Sequence, residues 1–285
     1  MPEAQPFPSG HLVDAFAPTQ IARRVLDVGV SKAKLPLADS FALAVLAGAF
    51  IALGAAFSTL ATTGSGLSWG LTRVIGGIAF SLGLILVVVA GAELFTGNNL
   101  VAMAWASRAV SSRHLMRNWA IVYVGNFVGA VATALLVYWT GAWKLADSAV
   151  GQNAYQIAAL KCNLHWFEAL ARGVACNALV CLAVWLSHSG RSTTDKILAI
   201  VWPITAFVAL GFEHSVANMY FIPFGILLGS QGAITASAPG VSAPDVTGLV
   251  HNLFPVTIGN ILGGTLLVAG IYWFVYLRHF RKEVP

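Results

Sequence analysis

The chain has 285 residues, 58% of them hydrophobic and only 9% charged, with a mean hydropathy of +0.77. That balance excludes a soluble protein and a separate soluble domain, and it fits a chain that crosses a bilayer several times. A net charge of +5 would suit a nucleic-acid partner in a soluble protein, but here the basic residues are sorted by side of the membrane, so none is expected.

With about 20 apolar residues per crossing, six segments stand out at roughly 36–62, 71–107, 117–140, 166–188, 197–229 and 250–277. Residues 36–280 therefore read as one transmembrane domain, between an N-terminal segment 1–35 and a short tail 281–285. The first 35 residues lack the apolar core and cleavage site of a signal peptide and read as mature protein. Pro2, Pro6, Pro8 and Pro18 keep their beginning irregular. From Pro18 to Ala33, Ile21, Val25 and Val28 share one helical face while Arg23, Arg24 and Lys32 point away. This predicts an amphipathic helix that either lies on the inner membrane surface or packs on the bundle.

The second segment is too long for one straight span and carries its own interruption, AGAELFTGNNL, from Ala90 to Leu100. It holds Glu93 and Asn98, with Thr96 placed either to cap backbone or to face a path. The third segment contains Gly125, Asn126 and Gly129. Lys161 precedes the fourth, where snorkelling or attraction of an anion would explain it equally. Asn177 lies mid-segment in CNALVCLAVW, and an amide without a partner there would cost several kcal/mol, so it bonds a neighbouring helix or faces the path. Cys162, Cys176 and Cys181 lack metal or disulfide spacing and read as small core residues.

The fifth segment is the most informative. FVALGFEHSVANMYFIPFG, from Phe207 to Gly225, places Glu213, His214 and Asn218 inside an apolar run, bracketed by Gly211, Pro223 and Gly225. Ionisable groups at membrane depth are costly and functional by default, and a helix break there survives only when buried in protein or lining a cavity. The imidazole of His214 can exchange a proton near neutral pH. Glu93 and Glu213 read as structural, accepting hydrogen bonds from backbone donors freed by the breaks. The sixth segment repeats the third, with Gly259, Asn260 and Gly263.

Arg23, Arg24, Lys32 and Lys34, then Arg108, Arg113 and Arg117, then Arg191 and Lys196, and finally Arg278, Arg281 and Lys282 fall on one face. The opposite loops hold Lys144 and Lys161, with Arg73 and Arg172 at segment ends, so both termini are expected in the cytoplasm. Glu93 precedes Asn98 as Glu213 precedes Asn218, and the glycine–asparagine pattern follows in the next segment of each half. Three crossings per copy make this an inverted repeat, about 36–140 and 166–277, with two broken helices meeting near the midplane where a solute would pass. The glycines alone also fit plain helix packing. The seven histidines show no zinc-binding pair, and neither GxSxG nor a P-loop is present. No enzyme, metal or cofactor is expected.

AELFTGNN, the RGVACNALVCLAVWLS run and GFEHSVANMYFIP together make the chain resemble the formate/nitrite transporter family, from the first membrane segment to the last. The resemblance implies an all-α, aquaporin-like fold of six transmembrane helices with helices two and five broken. It also implies a homopentamer with one path per subunit, in the bacterial inner (plasma) membrane, carrying small monovalent anions. By resemblance His214 is the central pore histidine, Asn177 its neighbour, Thr96 the loop threonine and Lys161 the vestibule lysine. Phe80, Leu84, Leu94, Phe95, Val180 and Phe207 would form the constrictions, and Glu93, Asn98, Glu213 and Asn218 would support the breaks. The expected activity is proton-linked transport, with formate first and nitrite, hydrosulfide or a short monocarboxylate as the alternative. A bare anion loses its hydration in an apolar constriction at a cost of several kcal/mol, whereas a protonated acid does not. A neutral-solute facilitator of aquaporin type is the reading from a different class, and it lacks the paired NPA motifs.

Overall fold

The computed structural model describes residues 15–230, 234 and 240–279; the expectations for Pro2, Pro6, Pro8 and the tail 281–285 lie outside the described residues. Regular structure among the described residues is entirely helical. The first half comprises α1 (Pro18–Lys34), α2 (Leu37–Thr62), α3 (Trp69–Ala90), a 3₁₀ turn (Gly97–Val101) leading into α4 (Ala102–Ala106), and α5 (Ser112–Trp139). The second comprises α6 (Ala149–Cys162), α7 (Trp166–Ser187), α8 (Thr193–Ala209), α9 (Ser215–Gly229) and α10 (Val246–Leu262), which continues through a π-helical stretch (Gly263–Gly270) into α11 (Ile271–Tyr276).

Among the described residues, five helices are long and apolar enough to cross a membrane: α2, α3, α5, α7 and the continuous α10–α11 rod. The remaining crossing is shared by α8 and the shorter apolar α9. Both breaks start alike. Gly91 ends α3 at φ +83° and Gly211 follows α8 at φ +74°, a left-handed conformation that side chains rarely tolerate. The expected interruptions of the second and fifth segments are therefore present, each opened by a glycine.

The halves are built by the same contacts. In the first, α2 packs on α3 and α5; in the second, α7 packs on α8 and α10; α3 and α8 then meet across the centre. The glycines of the repeated motif set these distances. A methyl carbon on Gly129 would overlap the Val45 carbonyl of α2, and one on Gly263 the Val174 carbonyl of α7. Helix packing, one of the two readings of those glycines, is what they do. Large apolar side chains such as Trp69, Leu71, Leu136, Trp202 and Phe254 remain exposed on the outside, the surface a lipid-facing bundle presents.

The N-terminal helix packs on the bundle, the second of its two predicted positions. Its buried stripe is Ile21, Ala22, Val25, Leu26, Gly29 and Ala33, set against the 3₁₀ turn and α4. Val28, expected on that face, is 36% exposed. Lys32, expected to point away, reaches inward, because a buried carboxylate lies within its span.

Candidate functional site

Each break is held by one lysine, one glutamate and three asparagines. In the first half Lys32 Nζ donates to Glu93 Oε1 at 2.7 Å and to Asn98 Oδ1 at 3.0 Å. Asn98 Nδ2 donates to Glu93 Oε2 at 2.7 Å and to Asn118 Oδ1 at 3.0 Å, while Asn118 Nδ2 donates to the Lys32 carbonyl at 3.2 Å. In the second half Lys161 Nζ donates to Glu213 Oε1 at 2.8 Å. Asn218 Nδ2 donates to Glu213 Oε2 at 2.6 Å and to Asn252 Oδ1 at 2.7 Å, and Asn252 Nδ2 donates to the Lys161 carbonyl at 2.9 Å. Lys32 of α1 thus stands where Lys161 of α6 stands in the other half, a match that takes α1 and α6 into the pseudo-symmetry.

Sequence reasoning had the carboxylates receiving freed backbone donors. Instead they accept from lysine and asparagine side chains, and the backbone is gathered by the asparagine of each glycine–asparagine pair. Asn126 Oδ1 accepts from the Phe95 N–H at 2.9 Å, and its amide donates to the Ala44 and Glu93 carbonyls at 2.7 and 2.9 Å. Asn260 does the same for the Ser215 N–H at 2.9 Å and the Gly173 and Glu213 carbonyls at 2.8 and 3.0 Å. The physical reason is reach: an amide carries both a donor pair and an acceptor, so one side chain serves both kinds of orphan group, which a carboxylate cannot. Because Lys161 is 15% and Glu213 4% exposed, their pairing is nearly buried. Lys161→Met alone should cost about 3–5 kcal/mol by stranding the carboxylate. Lys161→Met combined with Glu213→Gln should recover most of that loss in denaturation of the detergent-solubilised protein; a double variant no better than the single would reject the pairing as the cause.

The two breaks meet through one hydrogen bond. His214 caps α9, with Nδ1 accepting the Ala217 N–H at 3.0 Å, and its Nε2 lies 2.9 Å from Thr96 Oγ1 of the other break. Since Nδ1 acts as an acceptor, the neutral ring carries its proton on Nε2, facing Thr96. Asn177 is fully buried and serves the same junction from behind, its amide donating to the Thr96 carbonyl at 3.3 Å and the Asn260 carbonyl at 2.7 Å. Of the two readings open for it, bonding its neighbours describes the contacts it makes.

Two cavities approach this junction from opposite sides and share no lining residue. The α1-side cavity, about 230 Å³, is lined by Lys32, Glu93, Asn98, Leu84, Leu94 and His188 among others. The α6-side cavity, about 200 Å³, is lined by Lys161, Glu213, Arg73, Arg172, Phe80, Phe207 and His214. Phe80 and Phe207 meet edge to face with ring centroids 5.5 Å apart, and Phe207 lies against the His214 ring at 5.9 Å. Leu84 and Leu94 are thus placed at one cavity and Phe80 and Phe207 at the other. Phe95 turns instead onto Trp119 and Tyr123 of α5, and Val180 is buried in the main core; neither lines either cavity.

His188, one of the seven histidines and the last residue of the fourth predicted segment, follows the end of α7 at Ser187 and lines the α1-side cavity, a position its sequence neighbours do not reveal. Burial, followed by the charges of Arg24, Lys32 and Lys196, pushes its imidazole down to about 4. A ring held neutral in the fold but titrating near 6.5 when unfolded contributes stability that is present above pH 6.5 and lost as pH falls toward 4. We expect the melting temperature to drop between pH 7 and pH 5, and to drop less in His188→Gln; parallel curves would remove this residue from the acid limb.

The sequence profile of the formate/nitrite transporter family matches residues 19–274. The formate channel FocA of Escherichia coli strain K12 is 43% identical over 273 residues, covering 93% of this chain and 96% of the relative. A probable formate transporter of Methanothermobacter thermautotrophicus is 40% identical over 279 residues, covering 92% and 97%. A solved pentameric formate channel with formate bound superposes with a TM-score of 0.77 at 40% identity, covering 85% of this chain and 98% of that one. Taken with the paired breaks and the histidine between them, these matches make the chain an integral membrane protein belonging to the formate/nitrite transporter family.

Proposed function

We propose that this protein carries formate across the bacterial inner membrane as a homopentamer, each subunit holding its own path, with both termini in the cytoplasm. The substrate and the assembly follow the relatives described above; the orientation follows the sorted lysines and arginines. On that orientation the α1-side cavity is the cytoplasmic vestibule and the α6-side cavity the outer one. The transport domain includes α1, because Lys32 completes the cytoplasmic bracket.

The observation that carries the reading is the Thr96–His214 hydrogen bond of 2.9 Å, set between two cavities with leucine at one and phenylalanine at the other. A formate ion leaving either vestibule meets apolar walls where its charge loses solvation. The Nε2–H of His214 and the Thr96 hydroxyl are donors at that point, able to hold a carboxylate oxygen; when Nδ1 takes up a proton from the vestibule in place of the Ala217 N–H, Nε2 gives its own to that oxygen, so the ring ends neutral and formic acid leaves. The neutral acid then crosses the rings, so uptake is linked to protons. Proteoliposomes loaded with and without an inward pH gradient test this directly. Faster formate uptake with the gradient is expected, and equal rates would refute coupling. Competition by nitrite, hydrosulfide, acetate and lactate ranks the alternative substrates.

A second mechanism has its own observation. His214 Nδ1 is occupied as the cap of α9, so the ring can act purely as a hydrogen-bond donor in an anion channel. Formate current in a planar bilayer without accompanying proton movement would favour that mechanism.

A further inference from the structure

The two vestibules carry matching lysine–glutamate brackets but unmatched additional charge. In the α1-side cavity Lys32 is answered by Glu93, and among the described residues no arginine lines the wall. In the α6-side cavity Lys161 is answered by Glu213, and two arginines from different helices, Arg73 of α3 and Arg172 of α7, line the same wall. Both converge on Gly211. A methyl carbon added there would stand 3.3 Å from Arg73 Nη2 and 3.6 Å from Arg172 Nη1, so the guanidinium groups share one small space.

Their protein contacts leave donors over. Arg73 donates through Nε to the Ala209 carbonyl at 3.1 Å and through Nη2 to the Val208 carbonyl at 2.5 Å. Arg172 donates through Nη1 to the Gly211 carbonyl at 3.1 Å and through Nη2 to Glu168 Oε1 at 2.5 Å. A guanidinium carries five N–H donors in a planar fork, so each retains several. Arg172 has the partly exposed Glu168 as counter-ion, whereas among the described residues Arg73 has only peptide carbonyls as acceptors. Lys161 adds to the imbalance. Where Lys32 bonds both Glu93 and Asn98, Lys161 hydrogen-bonds Glu213 alone among the described residues, lies 5.4 Å from the Phe221 ring centroid, and leaves the buried Asn218 Oδ1 without a partner there. Two forks and an under-used ammonium around one cavity leave a site with surplus positive charge, more donors than acceptors, and geometry suited to a carboxylate.

We infer that Arg73 and Arg172 form a capture site for planar two-oxygen anions, formate or nitrite, at the α6-side mouth, ahead of His214. The inference rests on the anion-carrying function proposed above. The site sets the concentration at which transport saturates from that face and favours a two-oxygen anion over hydrosulfide, which cannot engage a fork at two points. The opposite face, with its balanced bracket, saturates by a different site.

Right-side-out and everted membrane vesicles containing the full-length protein separate the two faces, with labelled formate as the probe. Arg73→Gln and, separately, Arg172→Gln should each raise half-saturation from the α6 side roughly tenfold, as expected for one lost charge-assisted hydrogen bond, and leave half-saturation from the α1 side unchanged. Nitrite should compete less well in both variants, and hydrosulfide about as before. An equal change at both faces would show that the arginines only cap α8, and no change at the α6 face would exclude capture; either overturns the inference while leaving formate transport intact. Wild-type vesicles that fail to carry formate at all would instead remove the parent reading, and this site with it.

Discussion

Replacing His214 with asparagine should give a folded protein whose proton-driven formate uptake falls about 100-fold or more, the order by which removing a positioned proton donor slows a reaction. Asparagine is among the preferred helix N-caps, so the Ala217 N–H keeps an acceptor and α9 keeps its first turn. What the shorter side chain loses is the ring nitrogen at 2.9 Å from Thr96, and with it an imidazole able to exchange a proton at the junction of the breaks. Thermal unfolding and size-exclusion behaviour serve as the folding control, and uptake in proteoliposomes as the readout. Undiminished pH-driven transport in a properly assembled variant would take the histidine out of the mechanism.

Asn260→Leu should be more damaging to the fold than any substitution at the path itself. The leucine is of similar size, but it leaves the Ser215 N–H and the Gly173 and Glu213 carbonyls without their partner in a fully buried setting. Each orphaned group costs about 1–3 kcal/mol, so the three together account for about 3–9 kcal/mol, comparable to the whole stability of many domains. We expect little protein recoverable from the membrane and a melting temperature far below wild type in whatever remains. Asn126→Leu should behave alike, because it removes the matching three bonds from the other break. A melting temperature within a few degrees of wild type in either variant would mean that the loops are held by something else.

The sequence made the polar breaks legible because charge and amide groups are conspicuous in apolar runs, and the matched spacing of Glu93–Asn98 and Glu213–Asn218 exposed the inverted repeat. It could not show which donors answer which acceptors. Periodicity is a local signal, whereas Lys32 and Glu93 are joined across 61 residues and Asn118 and Lys32 across 86. Lys32 was therefore grouped with the basic residues that orient the chain. Asn118 and Asn126 on α5 are spaced as Asn252 and Asn260 are on α10, which extends the repeat to the asparagines but not to the lysines. Arg73 and Arg172 were legible only as span ends, because nothing in their neighbours' order reveals that both close on Gly211.

The capture of Glu93 by a residue of α1 alters what that helix is. A chain trimmed to begin at Leu37 would keep every membrane crossing, yet Glu93 would sit beneath an open window with no ammonium to answer it. The leading helix thus walls the α1-side cavity, and on the function proposed above anything that lifts it away, whether a binding partner or a protease, would dismantle one rim of the conduit while leaving the other standing.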